Sequence, residues 1–219
     1  MINKIKNNNV NFKARPIATI VPIKNKFLPE ITLFKVGDKD SDFLYSMVNS
    51  INLDRLSPEF ANHSLMKYWK KCIIRPIDFI EERPDSKTIL AVTDFKPFGI
   101  ANYKIDPPES IDLTYVATWP IMPNKNVKYA GKSIMRQIFE VAKDENIERI
   151  DTFVMATPKP SHDFFKKLGF REGRGLKECY DAPRENFIEA MKGLDEYFLY
   201  KKNNMGKDIE LGSLLNINF

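Results

Sequence analysis

A chain of 219 residues and 25.4 kDa is long enough for one large domain whose core can enclose a small-molecule site. With 43% hydrophobic and 29% charged residues and no apolar run near bilayer length, it is expected to be neither a membrane protein nor wholly disordered. Two distant cysteines, Cys72 and Cys179, and two histidines, His63 and His162, leave little material for a zinc site, a disulfide framework or a His-based triad, while a net charge of +5 favours phosphate-bearing partners.

The first residues, Met1 to Asn11, are rich in Lys and Asn and lack the apolar segment of a secretory signal, so the cytoplasm is the expected compartment. Pro16, Pro22 and Pro29 divide the start of the chain, and residues 1–29 are read as an N-terminal extension. From Ile31 the pattern sharpens into a strand, Ile31 to Val36, and then a helical stretch with Phe43, Leu44, Met47, Val48 and Ile51 on one side. A second helix is expected between Pro58 and Cys72, with interruptions near Pro76 and Pro84. An antiparallel meander follows: Thr88 to Thr93, Phe98 to Ile105, and a long strand from Ile111. In that strand Ile111, Leu113, Tyr115, Ala117 and Trp119 alternate with Asp112, Thr114, Val116 and Thr118, which predicts the first set on one face. Pro120 has no N–H to give to a ladder, so a bulge is expected there that splays the strand from its neighbour.

Gly131 to Glu145 carries Ile134, Met135, Ile138, Phe139, Val141 and Ala142 on a broad apolar face and predicts the strongest helix of the chain. Arg149 to Ala156 reads as a strand covered on both faces. Thr157-Pro158 resembles an N-cap with proline at the first helical position, Phe164, Phe165 and Leu168 mark a short helix, and Gly169 is its expected terminator. A strand from Phe170, a helix over Pro183 to Lys192 and a strand over Glu196 to Lys201 complete a domain at residues 30–202, with 203–219 as a C-terminal tail.

Between Met122 and Phe139 lie Lys125, Lys128, Lys132 and Arg136 with no acid among them, and Gly131 stands where a loop enters the strongest helix. A helix N-terminus offers unpaired backbone N–H groups and the positive end of the helix dipole, so this loop is a candidate phosphate site. The segment Ile121-Met-Pro-Asn-Lys-Asn-Val-Lys-Tyr-Ala-Gly131 resembles the V-x-P-x-x-(Q/R)-x-x-G-x-(G/A) segment of the GCN5-related N-acetyltransferase (GNAT) superfamily. Phe164-Phe-Lys-Lys-Leu-Gly-Phe170 is similar to that superfamily's F-Y-x-K-x-G-F, and the order of elements from Ile31 to Tyr200 also matches. The resemblance implies an α/β (α+β) fold: a mixed, mostly antiparallel central sheet flanked by helices, with the fourth strand, from Ile111, splayed from the fifth, from Arg149.

It further implies acetyl-CoA, or another short acyl-CoA, as co-substrate and no metal. The diphosphate would rest on Asn126, Val127, Lys128, Tyr129, Ala130, Gly131, Lys132 and Ser133, the pantetheine beside the backbone of Trp119 and Ile121, and the acyl end near Phe165. The sequence departs from the pattern at Asn126, at Tyr129, which replaces the first glycine, and at Phe165, which replaces a proton-donating tyrosine. Transfer to an amine requires loss of an ammonium proton, and Asp112, Tyr115 and His162 are the candidates to receive it. The expected acceptor is an amine-bearing small molecule or protein or peptide, and the chain a monomer or homodimer without a membrane or nucleic-acid partner. A non-catalytic acyl-CoA-binding module of the same fold is the alternative, favoured by Phe165 and Tyr115.

Overall fold

The computed structural model describes residues 14–24, 28–37, 40–50, 74–93, 96–118, 129–154, 159–173 and 178–203. The elements in chain order are β1 (Arg15–Pro22), β2 (Ile31–Val36), α1 (Ser41–Ser50), α2 (residues 74–82), β3 (Ser86–Thr93), β4 (Lys96–Asp106), β5 (Ser110–Thr118) and α3 (Ala130–Asp144), then β6 (Arg149–Phe153), α4 (Lys159–Lys167), β7 (Arg171–Glu172), β8 (Cys179–Pro183), α5 (Arg184–Asp195) and β9 (Phe198–Lys202). The strands form one sheet in the order β7-β8-β6-β5-β4-β3-β2-β1-β9, antiparallel at every pairing except β5 with β6. This is the mixed, mostly antiparallel architecture expected. The helix expected at Pro58 to Cys72 lies outside the described residues.

Arg15–Pro22, within the stretch read as an extension, is an interior strand between β2 and β9. Its inward residues Ala18 and Ile20 are fully buried. The proline at Pro16 is accommodated because the β1–β2 register shifts between Pro16 and Ala18, where a missing N–H costs no ladder bond. Pro76 lies in the first turn of the described helical run 74–82, and the residues before 74, where the interruption is expected, lie outside the described residues. Proline's fixed φ is a helical one, and what it gives up there is a single donor.

The sheet carries a layer on each face. On one, α3 and α5 bury Ile134, Met135, Ile138, Phe139, Phe187 and Leu194 against Ile20, Leu33, Ile89, Ala101, Ile111 and Leu113. On the other, Leu44 of α1 and Ile77, Phe79 and Ile80 of α2 are buried with Phe34, Leu90 and Ile100, the strand residues of opposite parity. Arg136 of α3 ties the C-terminal elements to the first of these faces: it donates to Asp195 (2.6 Å) and Glu140 (2.7 Å) and stacks over Tyr200, whose hydroxyl donates to Gln137 (2.8 Å).

The regular alternation expected along β5 does not hold. Asn102 faces Tyr115 and Tyr103 faces Leu113, so Thr114 is an extra residue in β5. A bulge of one residue flips everything beyond it to the other face. Ile111 and Leu113 therefore lie in the α3 core, whereas Tyr115 packs its ring 5.4 Å from that of Phe79 on α2. The same position ends the pairing with β6, which runs only from Ser110↔Arg149 to Leu113↔Thr152. Beyond it β5 continues with β4 as far as Gly99↔Thr118, while the chain after β6 stays with its other neighbour through the Val154 N–H to the Glu178 carbonyl (2.8 Å). The splay thus opens at Thr114, earlier than the expected bulge near Pro120, which lies outside the described residues.

Candidate active site

The splay leaves Tyr115, Val116 and Ala117 paired with β4 and not with β6 among the described residues. Alternate residues of a strand turn their N–H and C=O to opposite edges, so this stretch presents backbone donors and acceptors to the gap. The apex is pinned where the Thr152 hydroxyl donates to the Leu113 carbonyl (2.8 Å).

α3 begins beside this opening. Its first intrahelical bond runs from the Ser133 N–H to the Tyr129 carbonyl (2.8 Å), so the N–H groups of Ala130, Gly131 and Lys132 precede the ladder. Its first turn contains no acid and carries Lys132. Ser133 is fully buried there and its Oγ has no hydrogen-bond partner. Free donors, a cation and an unsatisfied hydroxyl fit a phosphate ester. Gly131 has a further reason to lack a side chain: a Cβ would stand 3.1 and 3.2 Å from the Phe164 ring of α4.

Tyr129, which replaces the loop's expected glycine, adopts φ 99°, ψ 4°, the left-handed conformation that glycine takes without cost. Aromatic packing holds it there, edge-on to Phe198 at 5.3 Å and tilted to Tyr197 at 6.5 Å. Tyr129 therefore keeps the backbone conformation that the missing glycine would allow.

Of the candidate proton acceptors, Asp112 and Tyr115 come together. They are three residues apart, yet the bulge at Thr114 places both on the α2 side of the sheet, opposite Lys104 and Asn102 in register. Asp112 is exposed, and its carboxyl sits above the ordinary value because of partial desolvation, with Asp151 pushing the same way and Arg83 and Lys104 opposing. His162 is on the other side of the sheet, with Nδ1 2.8 Å from the hydroxyl of Tyr180, which donates in turn to Glu172 (3.3 Å). Phe165 is only 7% exposed and packs its ring at 5.2 Å from Phe164 and 5.1 Å from Phe170, so it offers a ligand little surface. Trp119, Ile121, Asn126, Val127 and Lys128 lie outside the described residues.

A cavity of about 810 Å³ adjoins the apex, lined among others by Asp112, Asp151, Thr152, Phe153, Cys179 and Asp181. Arg149 is paired with Asp151 (2.8 Å) and Arg171 with Asp181 (3.0 Å), whereas no ion pair engages Asp112 among the described residues. Phe153 stands 56% exposed. Sequence reasoning found Asp112 but not this cavity, which forms only when β5, β6 and β8 are side by side.

The family model of the GNAT acetyltransferases matches residues 49–170, more than half of the sequence. The chain belongs to the GNAT family of acetyltransferases. No curated protein matches the sequence. Among solved structures, a GNAT-family protein from Desulfovibrio desulfuricans is similar at TM-score 0.50 and 14% identity, covering 70% of this chain and 99% of that one. FdhC, a nucleotide-linked sugar GNAT, is similar at TM-score 0.50 and 18% identity, covering 86% of this chain and 98% of its own. The PaiA N-acetyltransferase from Thermoplasma acidophilum, solved with coenzyme A, has a TM-score of 0.46 at 18% identity and covers 70% and 98%. These likenesses are of fold. The matched stretch leaves β1, β2, most of α1, β7, β8, α5 and β9 outside it. No helix among the described residues is long and apolar enough to cross a membrane, and none of their acidic, His and Cys side chains cluster in a group able to hold a metal.

Proposed function

We propose that this protein transfers an acyl group, acetyl in the simplest case, from acyl-CoA directly to a primary amine. The observation that carries the reading is the opening of β5 from β6 at Thr114, with the donor-rich head of α3 beside it and the Asp112 cavity at its apex. The phosphates of the co-substrate would rest on the N–H groups of Ala130, Gly131 and Lys132, and its acyl arm along the β6-facing edge of Tyr115 to Ala117. The amine nitrogen attacks the thioester carbonyl carbon, the C–N bond forms as the C–S bond breaks, and the thiolate leaves with the CoA. Backbone N–H groups of β5 facing the gap stabilise the oxyanion formed on the way.

The chain's own contribution to proton transfer falls to Asp112. An amine enters mostly as an ammonium, and a carboxylate at the cavity wall both attracts it and takes its proton. The raised affinity of Asp112 for a proton narrows the gap between the two groups. Tyr115, on the same face, lines the approach. His162 is separated from both by the sheet and is assigned to holding α4 on β8 through Tyr180.

The test is acetyl-CoA-dependent release of free thiol with a panel of primary amines, run on the wild type, D112N and Y115F. We expect turnover with at least one amine and a loss of about 100-fold or more in kcat/KM for D112N. Acetyl-CoA binding without turnover on any amine would instead establish the non-catalytic module, the outcome favoured by the hydrocarbon ring of Phe165 at the position of the proton donor.

A further inference from the structure

Two elements outside the family-matched stretch meet the head of α3 at one corner. β1 and β9 pair with Pro22 opposite Phe198, and the Ile23 N–H donates to the Tyr197 carbonyl (2.9 Å). That backbone bond sets Lys24 beside Tyr197, with the ammonium 4.0 Å from the ring centroid. From the other side of the corner, Lys132 of α3 reaches the same ring at 4.7 Å and the Tyr129 ring at 5.5 Å. Two ammonium groups are thus gathered over one aromatic ring, next to the positive end of a fifteen-residue helix.

These cations are poorly neutralised. Lys132 has no carboxylate within ion-pair distance among the described residues, and the first turn of α3 has no acid. Lys24 has only Glu196 at 3.8 Å, in a loose contact between groups that are both more than half exposed. Two ammonium groups at one ring, with a single exposed carboxylate at the edge of ion-pair distance among the described residues, favour an anion between them. The main-chain donors of the first turn suit the diphosphate of CoA. The remaining anion of that nucleotide is the 3′-phosphate, a monoester of nearly two negative charges, which two compact ammonium groups match.

We propose that Lys24 and Lys132, presented by Tyr197, form the subsite for the 3′-phosphate of CoA. The inference rests on the acyl-CoA reading above and adds a selectivity supplied from the adjoining ends of β1 and β9. It also gives a role to the left-handed Tyr129, whose ring closes the same corner against Phe198.

Titration calorimetry with CoA and with dephospho-CoA, which lacks only the 3′-phosphate, tests it on the full chain as wild type, K24M, K132M and K24M/K132M. The wild type is expected to bind CoA at least tenfold more tightly than dephospho-CoA, and the double variant to bind both alike, near the wild-type affinity for dephospho-CoA. Lys24 is exposed and Lys132 half-buried, so a thermal melt is expected to show each variant folded. Equal wild-type affinities, or a preference that persists in the double variant, overturn the subsite and leave the acyl-CoA reading standing. Failure of the wild type to bind either ligand overturns both.

Discussion

Replacing Gly169 by alanine tests how α4 is terminated and docked. Gly169 has φ +82°, its N–H donates to the Lys166 carbonyl (3.1 Å), and the Phe170 N–H donates to the Phe165 carbonyl (3.1 Å). Those two bonds and the Phe165–Phe170 ring contact at 5.1 Å make a complete Schellman motif. Alanine there incurs the left-handed penalty of roughly 1–2 kcal/mol. Its Cβ would also stand 3.1 Å from the backbone oxygen of Asn186 in α5, whose side chain now donates to the Gly169 carbonyl (2.8 Å). Backing α5 away weakens that bond, a further ~0.5–1.5 kcal/mol. The expected destabilisation is about 2–3 kcal/mol, or about 5–10 °C in Tm for a chain of this length. Gly193 is the internal control, because it lies inside α5 and a Cβ there meets nothing within 4 Å. G193A is expected to gain ~0.5–1 kcal/mol. Urea unfolding of both variants beside the wild type decides the matter: a neutral G169A, or a G193A that loses as much, refutes the assignment of strain and contact.

Two other variants probe the head of α3 and the turn before α1. G131E puts a carboxylate among the first-turn donors of α3, and it is expected to abolish CoA binding with the circular dichroism spectrum unchanged; unaltered CoA affinity in the folded variant would count heavily against the phosphate assignment. Asp40 is fully buried, with Oδ2 accepting the Gly37 N–H (2.9 Å) and Oδ1 unpartnered, and burial raises its pKa while that hydrogen bond opposes the shift. A carboxyl with a raised folded-state pKa contributes stability that is present below its unfolded value, about pH 4, and is lost as pH rises through the folded value. The Tm of D40N relative to wild type is therefore expected to climb as pH rises above about 4, and a difference independent of pH would remove Asp40 as the cause.

What the sequence discloses and what it withholds divide along physical lines. Periodicity exposes α3, because Ile134, Ile138 and Phe139 repeat at helical spacing, and Gly169 announces the end of α4, because few other residues take its backbone conformation. The proline-broken start of the chain conceals β1. One of its two pairing partners, β9, is nearly two hundred residues away, and Ala18 and Ile20 are buried by a core assembled from distant helices. The bulge at Thr114 leaves no trace in composition, since a strand that alternates without fault in sequence gives no sign that its partner skips a residue. Tyr129 is visible as a departure from the motif, but the sequence does not say that Phe198 and Tyr197 hold it in glycine's conformation. Lys24 and Tyr197 lie outside every motif and acquire meaning only from the Ile23–Tyr197 backbone bond.

The bulge connects these levels most directly. Were Thr114 paired in register instead of bulged, Tyr115 and Ala117 would join Ile111 and Leu113 on the α3 face, and Asp112 would share the other with Thr114 and Val116. With the bulge, Asp112 and Tyr115 share the face toward α2 and the Asp112 cavity, and β6 is released from β5 at the same level. The bulge thus has two consequences on which the proposed amine acylation would draw. It leaves an edge of β5 off β6 for the proposed acyl arm, and it sets Asp112, which is in no ion pair among the described residues, on the same face as Tyr115. On α3 itself, Arg136 ties the helix to Asp195 of α5 and Tyr200 of β9. That anchorage keeps the head of α3, the proposed seat of the phosphates, in fixed relation to the splayed strands.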